Sequence, residues 1–515
     1  MMKSSISREN TENSFFSPFP VLRAMIALLV SAGIGMLVSS MMNFFPVVIS
    51  AKVVTGLATL NTALWALIIG AIFLTIIIVL RQDQVAAVVV IAVHLYIDWY
   101  VGLSLVAYAI ALALLLIFFL ARSPRFPWVE PRVLWLWGLF LTLAIYPAIR
   151  GALTPRDTLQ YYPNIIFGAF LMFWLGTTIA RDTASVRRFF QALSIFATLI
   201  AVHTIIQAEL GITLLDSSHF DAYLTTVTNY QLVTGTAIYR LGSFFVDPNW
   251  NGTFLAMMLL IPLGLFVESP FFLAKVLYLA EVLIILPALL FTYSAGAWIG
   301  AFGGIVAFII LGGRARDRIQ FSLFLGLAIA LIITLFPAQL ALLLQHATGR
   351  DEVTLRTGAW QTALRVISAY PLTGVGLGRL AYQVRAEPFR VPAQFVPVDH
   401  PHNAYLEYGA MGGLPVLFVF LALLLFALSQ ALRHWKQADP RGRSLLGAGI
   451  AAIIALSVNS WSIDGWTLPP LVAISWLLLG VVSSPLLAKG RERAMEPEKS
   501  NTTTNRSSWS LEKFV

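Results

Sequence analysis

Long runs of apolar residues, separated by short polar breaks, recur along the whole 515-residue chain. Most runs are about 17 to 25 residues long, the length of an α-helix that crosses the hydrocarbon core of a bilayer. Apolar and polar residues do not alternate along them as they do in the strands of a transmembrane barrel. Because only helices and closed barrels satisfy their backbone hydrogen bonds in lipid, the pattern predicts an all-α polytopic membrane protein.

Reading the runs between polar breaks predicts about 14 transmembrane helices, with about 12 as the lower bound because some runs are short. The predicted spans are 20–41, 57–80, 85–100, 101–121, 133–149, 164–180, 189–208, 252–267, 272–293, 296–312, 320–344, 405–432, 444–463 and 467–487. Two connecting segments, about 209–251 and 345–404, are too long to be simple turns.

These segments divide the chain into consecutive parts. The predicted order is a cytoplasmic tail at 1–19, transmembrane helices at 20–208, an external loop at 209–251, transmembrane helices at 252–344, a large external loop with short helices at 345–404, transmembrane helices at 405–487 and a disordered cytoplasmic tail at 488–515. The first apolar run follows a polar stretch and is long enough to remain as a span, so we expect no cleaved signal peptide.

Composition supports the membrane assignment. Hydrophobic residues make up 58% of the chain and charged residues 11%, with a mean hydropathy of +0.80. A soluble domain has about 25% charged residues. Cysteine is absent, which excludes a disulfide framework and a thiolate metal site, and we expect neither a metal nor a cofactor.

The net charge of +9 is a topology signal rather than a nucleic-acid signal. One set of alternating tails and loops contains 24 of the 34 lysines and arginines. By the positive-inside rule this set is cytoplasmic, so both termini are predicted to lie inside. We expect membrane lipids with anionic headgroups, and not nucleic acid, to be the partners of these loops.

The large external segment contains six arginines and no lysine, on the side where topology requires no positive charge. They are Arg350, Arg356, Arg365, Arg379, Arg385 and Arg390. The planar guanidinium group suits phosphate, so a phosphate-bearing ligand is one interpretation. The alternative is that acids of the same segment pair with these arginines; they are Asp351, Glu352, Glu387 and Asp399.

Two shorter patterns lie within this segment. Residues 354–371 place Leu355, Trp360, Ala363, Leu364 and Ile367 on one side, which predicts an amphipathic interfacial helix that Pro371 ends. The stretch "GVGLG" at 374–378 lacks the preceding strand and the following Gly-Lys of a nucleotide loop. Its glycines could still let the backbone approach a headgroup.

The stretch "DHPHNAYLEYGAMGGLPVLFVFL" at 399–421 sets two histidines against an apolar run. Histidine has the pKa of a general base near neutrality, and group transfer to a hydroxyl needs such a base. An isolated histidine at a helix mouth is more often a cap or an interfacial polar group. Here Asn403, Glu407 and the arginines accompany the pair, which favours His402 as the base and gives His400 a supporting role.

The first external segment ends in "YRLGSFFVDPNWNG". Arg240 is a candidate anion contact. Asp247 and Asn249 form a turn with Pro248 that begins the next span, and helix capping is at least as good an interpretation for them as function.

Ionisable residues within spans are costly and often mark ion pathways. His94 and Asp98 share one helix face, Glu281 lies in the middle of a span and Asp464 lies at an external turn. We interpret the first three mainly as interhelical hydrogen-bonding groups.

Three stretches in order resemble the O-antigen ligase and O-antigen polymerase superfamily of bacterial envelope glycosyltransferases. They are "RLGSFFVDPNWNG", "GRDEVTLRTGAWQTALRVISAYPLTGVGLG" and "HPHNAYLEYGAMGGLPVLFVFL", and with the spans between them they cover about residues 235 to 432. The first two hundred residues match only as generic membrane helices.

The resemblance implies a metal-independent glycosyltransferase of the bacterial inner membrane, with its active site on the external face. The implied donor is an undecaprenyl-diphosphate-linked glycan and the acceptor a glycan or a lipid. His402 would activate the acceptor hydroxyl, and Arg350 or Arg356 would bind the diphosphate. Ala295 stands where many members have an arginine, so Arg240 or Arg379 could replace that contact.

The alternatives remain open at this point. A ligase, a polymerase and a protein-glycosylating enzyme need the same base and anion site, so the sequence does not separate them. A transporter or flippase would explain the spans but not the arginine- and histidine-rich loop, and we find no convincing internal repeat. The sugar and the oligomeric state stay undetermined.

Overall fold

The computed structural model describes residues 84–95 except 86, 93 and 94, and residues 131–153, 161–210, 229–231, 237–245, 247–312 and 315–488. These residues belong to a compact unit formed by 76–111 and 127–515. A second unit, 1–75 and 112–126, lies outside the described residues. So do the predicted spans 20–41, 57–80 and 101–121, most of 85–100, and His94 and Asp98.

The described residues are almost entirely helical, as the apolar pattern predicts. The helices are α1 Pro131–Gly151, α2 Gly168–Ile179, α3 Thr183–Leu210, α4 Pro248–Met258, α5 Leu260–Glu268, α6 Phe272–Phe291, α7 Ala295–Leu311, α8 Ala315–Leu335, α9 Pro337–Ala347, α10 Arg350–Ala369, α11 Arg379–Ala386, α12 Ala404–Gly412, α13 Leu414–Gln437, α14 Pro440–Asn459 and α15 Pro469–Val482. A π-helical turn, Tyr162–Phe167, leads into α2.

One short hairpin interrupts this helical structure. Strands β1 (Asn229–Gln231) and β2 (Ala237–Tyr239) pair antiparallel, with Asn229 opposite Tyr239. The hairpin lies in the predicted external loop at 209–251 and leads into a 3-10 turn at Ser243–Phe245.

Eight segments of the described chain are long and apolar enough to cross a membrane. They are Arg132–Gly151, Tyr162–Ile179, Thr183–Ala208, Pro248–Glu268, Phe272–Phe291, Leu414–Gln437, Pro440–Asn459 and Pro469–Ala488, and each overlaps a predicted span. Parts of α8 and α9 pass the same test together but are bent by 90° at their junction. Counting that pair as one span gives nine in the described residues, so the total of fourteen and the side of the termini stay predictions.

Helix ends that the charge pattern assigns to the outside meet at one end of the described unit, which we call the site end. The segments that come together there are 147–153, 161, 240–245, 247–250, 292–296, 356–413 and 459–468. For example, Tyr161 donates a hydrogen bond of 3.0 Å to Glu407. The segments on the other side of the alternation meet at the opposite end, where Arg187 pairs with Glu268.

Helix α7 crosses the whole distance between these two ends although it has only 17 residues. It begins beside Ser462 at the site end, and the carbonyl of Leu311 at its other end accepts a bond of 2.8 Å from Trp435. Glycines along α7 let it run against α14: a Cβ at Gly300 would lie 2.6 Å from the Ala455 carbonyl oxygen. Small residues at helical spacing allow such close approach in membranes.

The predicted span 405–432 is two helices rather than one. Gly413 has a φ of +84° and separates α12 from α13, and Pro415 lies in the first turn of α13. A residue with a side chain rarely adopts this φ, so glycine permits the break. The break turns α12 out of the span and into the site end.

Helix α10 forms where the amphipathic pattern predicts a helix, and it ends before Pro371. Its buried face includes Ala359, Ala363 and Val366, whereas Leu364 is 53% exposed. The interfacial position of α10 stays a prediction, since lipid would cover an exposed leucine. On the side that faces the protein, Gly358 packs directly on the backbone of residues 393–394.

Candidate functional site

Asn403 begins α12 and fixes the residues before it. Its Oδ1 accepts hydrogen bonds of 3.0 Å from the N–H groups of Tyr405 and Leu406. Its Nδ2 donates a bond of 3.0 Å to the carbonyl of Trp461, in the turn between α14 and α15. An N-cap side chain satisfies helix N–H groups that otherwise lack partners. This cap therefore ties the histidine segment to the α14–α15 turn, residues 460–468.

His402 directly precedes the cap and is held in an unusual backbone conformation. Its φ is +50°, which a residue with a side chain adopts only when its surroundings impose it. The His400 and His402 rings meet edge to face with centroids 4.1 Å apart. His402 is partly exposed, whereas His400 is buried.

His400 lies between two acids. Its Nδ1 is 2.5 Å from Oδ1 of Asp399, and its Nε2 is 3.6 Å from Oδ2 of Asp464. Burial opposes the charged form of His400, but attraction to Asp464 and the bond to Asp399 raise its pKa above the usual value. Both ring nitrogens face carboxylates, which suits a positively charged imidazolium.

His402 has the opposite electrostatic surroundings. Burial, the neighbouring His400 and the guanidinium of Arg356 lower its pKa well below the usual histidine value. A neutral imidazole keeps a lone pair on one nitrogen at neutral pH. The two histidines therefore differ in their surroundings: carboxylates hold His400 in place, whereas His402 is a ring that can accept a proton.

Arg379 lies among the acids of the site. It forms an ion pair with Asp464, its Nη1 is 3.6 Å from Asp399, and its guanidinium lies 5.9 Å from the ring centroid of Trp250. Burial disfavours its charge, yet Asp464, Glu407 and Asp399 outweigh burial and raise its pKa. The positive charge of Arg379 is therefore largely balanced by carboxylates of the protein.

Glu407 is completely buried one turn into α12. Oε1 accepts a bond of 3.0 Å from Tyr161, and Oε2 accepts one of 2.8 Å from Thr467. Burial, followed by repulsion from Asp464, raises the pKa of Glu407. The carboxyl group thus joins three distant parts of the chain beneath the histidines.

Arg356 connects α10 to the same turn. Its Nη1 donates a bond of 3.1 Å to the carbonyl of Ser462, and its charge contributes to the lowered pKa of His402. Arg350 begins α10 six residues earlier, but its side chain lies outside the described part.

The other arginines of the large segment divide between the two interpretations. Arg390 pairs with Glu387 at 2.8 Å, as the acid-pairing alternative expects. Arg385 donates bonds of 2.6 and 2.7 Å to the carbonyls of Arg150 and Val375. Arg365 is exposed on α10.

Arg240, a predicted anion contact, is buried with 2% of its surface exposed. Nε donates a bond of 3.0 Å to the carbonyl of Thr292, and Nη2 donates one of 2.5 Å to Oδ1 of Asn249. Asp247 caps α4 by accepting a bond of 2.7 Å from the N–H of Asn249, as the capping interpretation predicts. Burial raises the pKa of Asp247, and the charges of Arg240 and Asp464 also act on it. A diphosphate contact of Arg240 stays a prediction.

The glycine stretch 374–378 packs against protein rather than forming an open cradle. The N–H groups of residues 374 to 377 donate to carbonyls of Tyr370, Ala410, Met411 and Pro147. These four amides are therefore not available to a phosphate, which agrees with rejecting a nucleotide loop. These bonds therefore do not support a direct approach of this backbone to a lipid headgroup.

Ala295, where the resemblance in the sequence leads us to expect an arginine, begins α7 next to the site turn. A Cβ on the following Gly296 would lie 2.2 Å from Oγ of Ser462 and 2.6 Å from Oδ1 of Asn459. The position therefore adjoins the residues that hold Arg356. Arg240 approaches this position from another element, since its Nε donates to the carbonyl of Thr292, three residues before Ala295.

Sequence reasoning gave Asp464 no role in the site. Its position at an external turn, close to the predicted site, was the one feature of the sequence that could have indicated such a role. Its two partners, Arg379 and His400, lie 85 and 64 residues earlier in the chain. Tyr161 and Thr467 had no recognisable signal, since a single hydroxyl near a span end is common. In the described part of the chain, no group of three or more His, Cys, Asp or Glu could hold a metal ion.

Comparison with known families identifies the segment that carries most of these residues. Residues 280–421 match the model of a family described as O-antigen ligase. This stretch begins within α6 and runs through α10, both histidines and α12 into α13. A comparison with curated proteins found no match. The resemblance seen in the sequence motifs is thereby confirmed, and residues 280–421 form a domain that matches the O-antigen ligase family.

Proposed function

We propose that the protein transfers glycan from an undecaprenyl-diphosphate-linked donor to an acceptor hydroxyl on the external face of the bacterial inner membrane. The O-antigen ligase domain and the membrane-spanning helices support the general class. The observation that carries the reaction type is the placement of a partly exposed His402 against His400, whose two ring nitrogens face carboxylates, and close to Arg356.

In this mechanism the neutral His402 accepts the proton of the acceptor hydroxyl. The acceptor oxygen attacks the anomeric carbon of the donor sugar, and the bond from that carbon to the diphosphate oxygen breaks. The electron pair of that bond leaves with the diphosphate. General-base assistance is worth about 10²- to 10⁴-fold in rate.

The departing diphosphate needs positive charge close to the base. Arg356 meets this condition because its guanidinium lies close enough to His402 to lower its pKa. Arg350 is on the same helix, and we propose it as a second contact. Arg379 and Arg240 are more strongly engaged by the protein itself, so we propose that they hold Asp464 and Asn249 and reach the donor only indirectly.

A test replaces His402 with glutamine in the native host and separates the envelope glycans by size. We expect long chains on the acceptor to disappear, with the protein present at its normal level in the membrane. Accumulation of lipid-linked polymer would identify a ligase, and accumulation of single lipid-linked units would identify a polymerase. An unchanged glycan profile would contradict the proposal.

Two matched variants test whether Arg356 contacts the diphosphate of the donor. Arg356→Gln should raise the KM for the lipid-linked donor, whereas Arg365→Gln removes an exposed arginine from the same helix and should leave it unchanged. Equal effects of the two variants would show that the positive charge of α10 acts generally rather than through Arg356.

A further inference from the structure

Trp461 is exposed in a turn whose other residues are mostly buried. Its side chain is 63% exposed, whereas Ser460, Ile463 and Asp464 are at most 6% exposed. Trp466, five residues later, is completely buried. Burying an indole is strongly favourable, so an exposed one at this place needs a physical reason.

The exposed ring is held in a fixed position. Its centroid lies 5.4 Å from that of Tyr405, at an angle of 50° between the planes. Tyr405 is itself anchored, because its hydroxyl donates a bond of 2.7 Å to the carbonyl of Ser457. A ring that is already ordered loses little conformational entropy when a ligand binds to it.

The backbone of Trp461 is part of the site. Its carbonyl accepts the amide of Asn403, which directly follows His402. The carbonyl of the next residue, Ser462, accepts the guanidinium of Arg356. The turn that carries the indole is therefore bonded both to the neighbour of the proposed base and to the proposed donor contact.

The chemistry of the proposed substrate indicates which group would bind to the exposed indole. One face of a pyranose ring presents several C–H groups, which carry partial positive charge, and the face of an indole is negative. Exposed tryptophans also serve as anchors at the membrane interface. The partly exposed Ser462 beside it, and the bonds of this turn to two site residues, favour a sugar over a lipid here.

We propose that Trp461 is a stacking platform for a pyranose ring of the substrate glycan, on either the donor or the acceptor. This inference rests on the proposed function, because it takes its ligand class from that reaction. Trp461 would position the ring and would take no part in proton transfer.

The test compares Trp461→Leu, which keeps an apolar side chain, with Trp461→Tyr, which keeps a flat ring. Transfer is measured with the purified protein and an undecaprenyl-diphosphate-linked glycan. The KM for either donor or acceptor should rise on the order of tenfold in the leucine variant, and much less in the tyrosine variant. The substrate whose KM rises is the one that stacks.

Two controls separate stacking from membrane anchoring and from misfolding. Tyr146→Ala removes another aromatic residue that is 58% exposed, on the membrane-spanning α1, and should leave both KM values unchanged. Binding of undecaprenyl diphosphate without sugar should be equal in the wild type and in Trp461→Leu. Size-exclusion profiles and Tm values confirm folding.

Unchanged KM values in Trp461→Leu would overturn the inference, and so would an equal loss of sugar-free undecaprenyl diphosphate binding. If the wild type transferred no glycan, the proposed function would fail instead. Calorimetric binding of the free glycan to the wild type and to Trp461→Leu would then decide the inference by itself, since it requires no turnover.

Discussion

His400 and His402 are two residues apart, and their pKa values shift in opposite directions because different neighbours surround them. Asp399 and Asp464 face His400, whereas Arg356 and His400 act on His402. The sequence motif identifies the pair and favours His402. The physical reason depends on Asp464, which only the folded chain brings beside the pair, so the sequence could not supply it.

This arrangement predicts a specific pH dependence. A lowered pKa keeps His402 neutral below the ordinary histidine value of 6.5, so the acid limb of kcat/KM should lie below that pH. Arg356→Gln removes a positive charge that disfavours the imidazolium, so the pKa of His402 and the acid limb should both move upward. Normalised kcat/KM profiles of the wild type, Arg356→Gln and the control Arg365→Gln measure this. An acid limb that stays in place in Arg356→Gln would contradict the electrostatic coupling.

Glu407 predicts a pH dependence of stability. Its raised pKa means that the folded protein binds this proton more tightly than the unfolded chain does. Its contribution to stability is complete below the usual carboxyl pKa and is lost as the pH rises through the raised value. The fall in Tm between pH 6 and pH 8.5 should therefore be smaller in Glu407→Gln than in the wild type, by about 2 °C or more.

The slope with pH, rather than the Tm itself, is the relevant quantity for Glu407. His400 also has a raised pKa, and its charge favours the ionised form of Glu407, so the comparison measures Glu407 together with its coupling to His400. Glu387→Gln replaces an exposed acid that pairs with Arg390 and should keep the wild-type slope. Equal slopes in all three proteins would show that Glu407 stays ionised throughout.

At the scale of single elements, the N-cap of α12 joins helix stability to the position of His402. Asn403→Ser keeps an oxygen that can cap the helix but removes the amide that donates to Trp461. We expect little change in Tm and a loss of transfer activity, whereas Asn403→Ala should also lose about 1 kcal/mol of stability with the cap. Full activity of Asn403→Ser would show that the cap alone positions His402.

The contact between α7 and α14 gives the second prediction for an element. A leucine at Gly300 would overlap the backbone of Ala455, so Gly300→Leu should separate the two helices and lower the Tm strongly. Gly326→Leu is a matched control, because a Cβ at Gly326 meets nothing within 4 Å. Detergent-solubilised yield and Tm of the two variants provide the measurement, and similar values would contradict the close packing.

Apolar runs predict which residues form membrane helices, but they do not show where a run is divided. All eight long spans of the described chain overlap predicted ones. The run 405–432 conceals the break at Gly413, and 320–344 conceals the bend between α8 and α9. Both helices of each pair are apolar, so hydropathy cannot distinguish one straight span from two helices. The geometry depends on close contacts such as that of Gly413 with Leu372.

At the scale of the whole molecule, the site draws on distant parts of the chain. Tyr161, Arg356, Glu407 and Asp464 belong to four elements, and the family match covers two of them. Motif reading therefore finds the histidines, Arg356 and Glu407 but assigns no site role to Asp464, Tyr161 and Thr467, which hold them. Those residues can be recognised as part of the site only from the folded structure.

The orientation of the molecule in the membrane gives the last prediction. The charge count assigns the site end to the outside, and the structure gathers the corresponding segments at one end without showing which side that end faces.

Because the chain has no cysteine, single cysteines can report the side directly. Gln383→Cys, exposed on α11 at the site end, should react with a membrane-impermeant maleimide in intact spheroplasts. Gln437→Cys, exposed where α13 ends, should react only after permeabilisation. The reverse pattern would place the histidines in the cytoplasm, out of reach of an externally presented glycan, and would contradict the proposed function together with the topology.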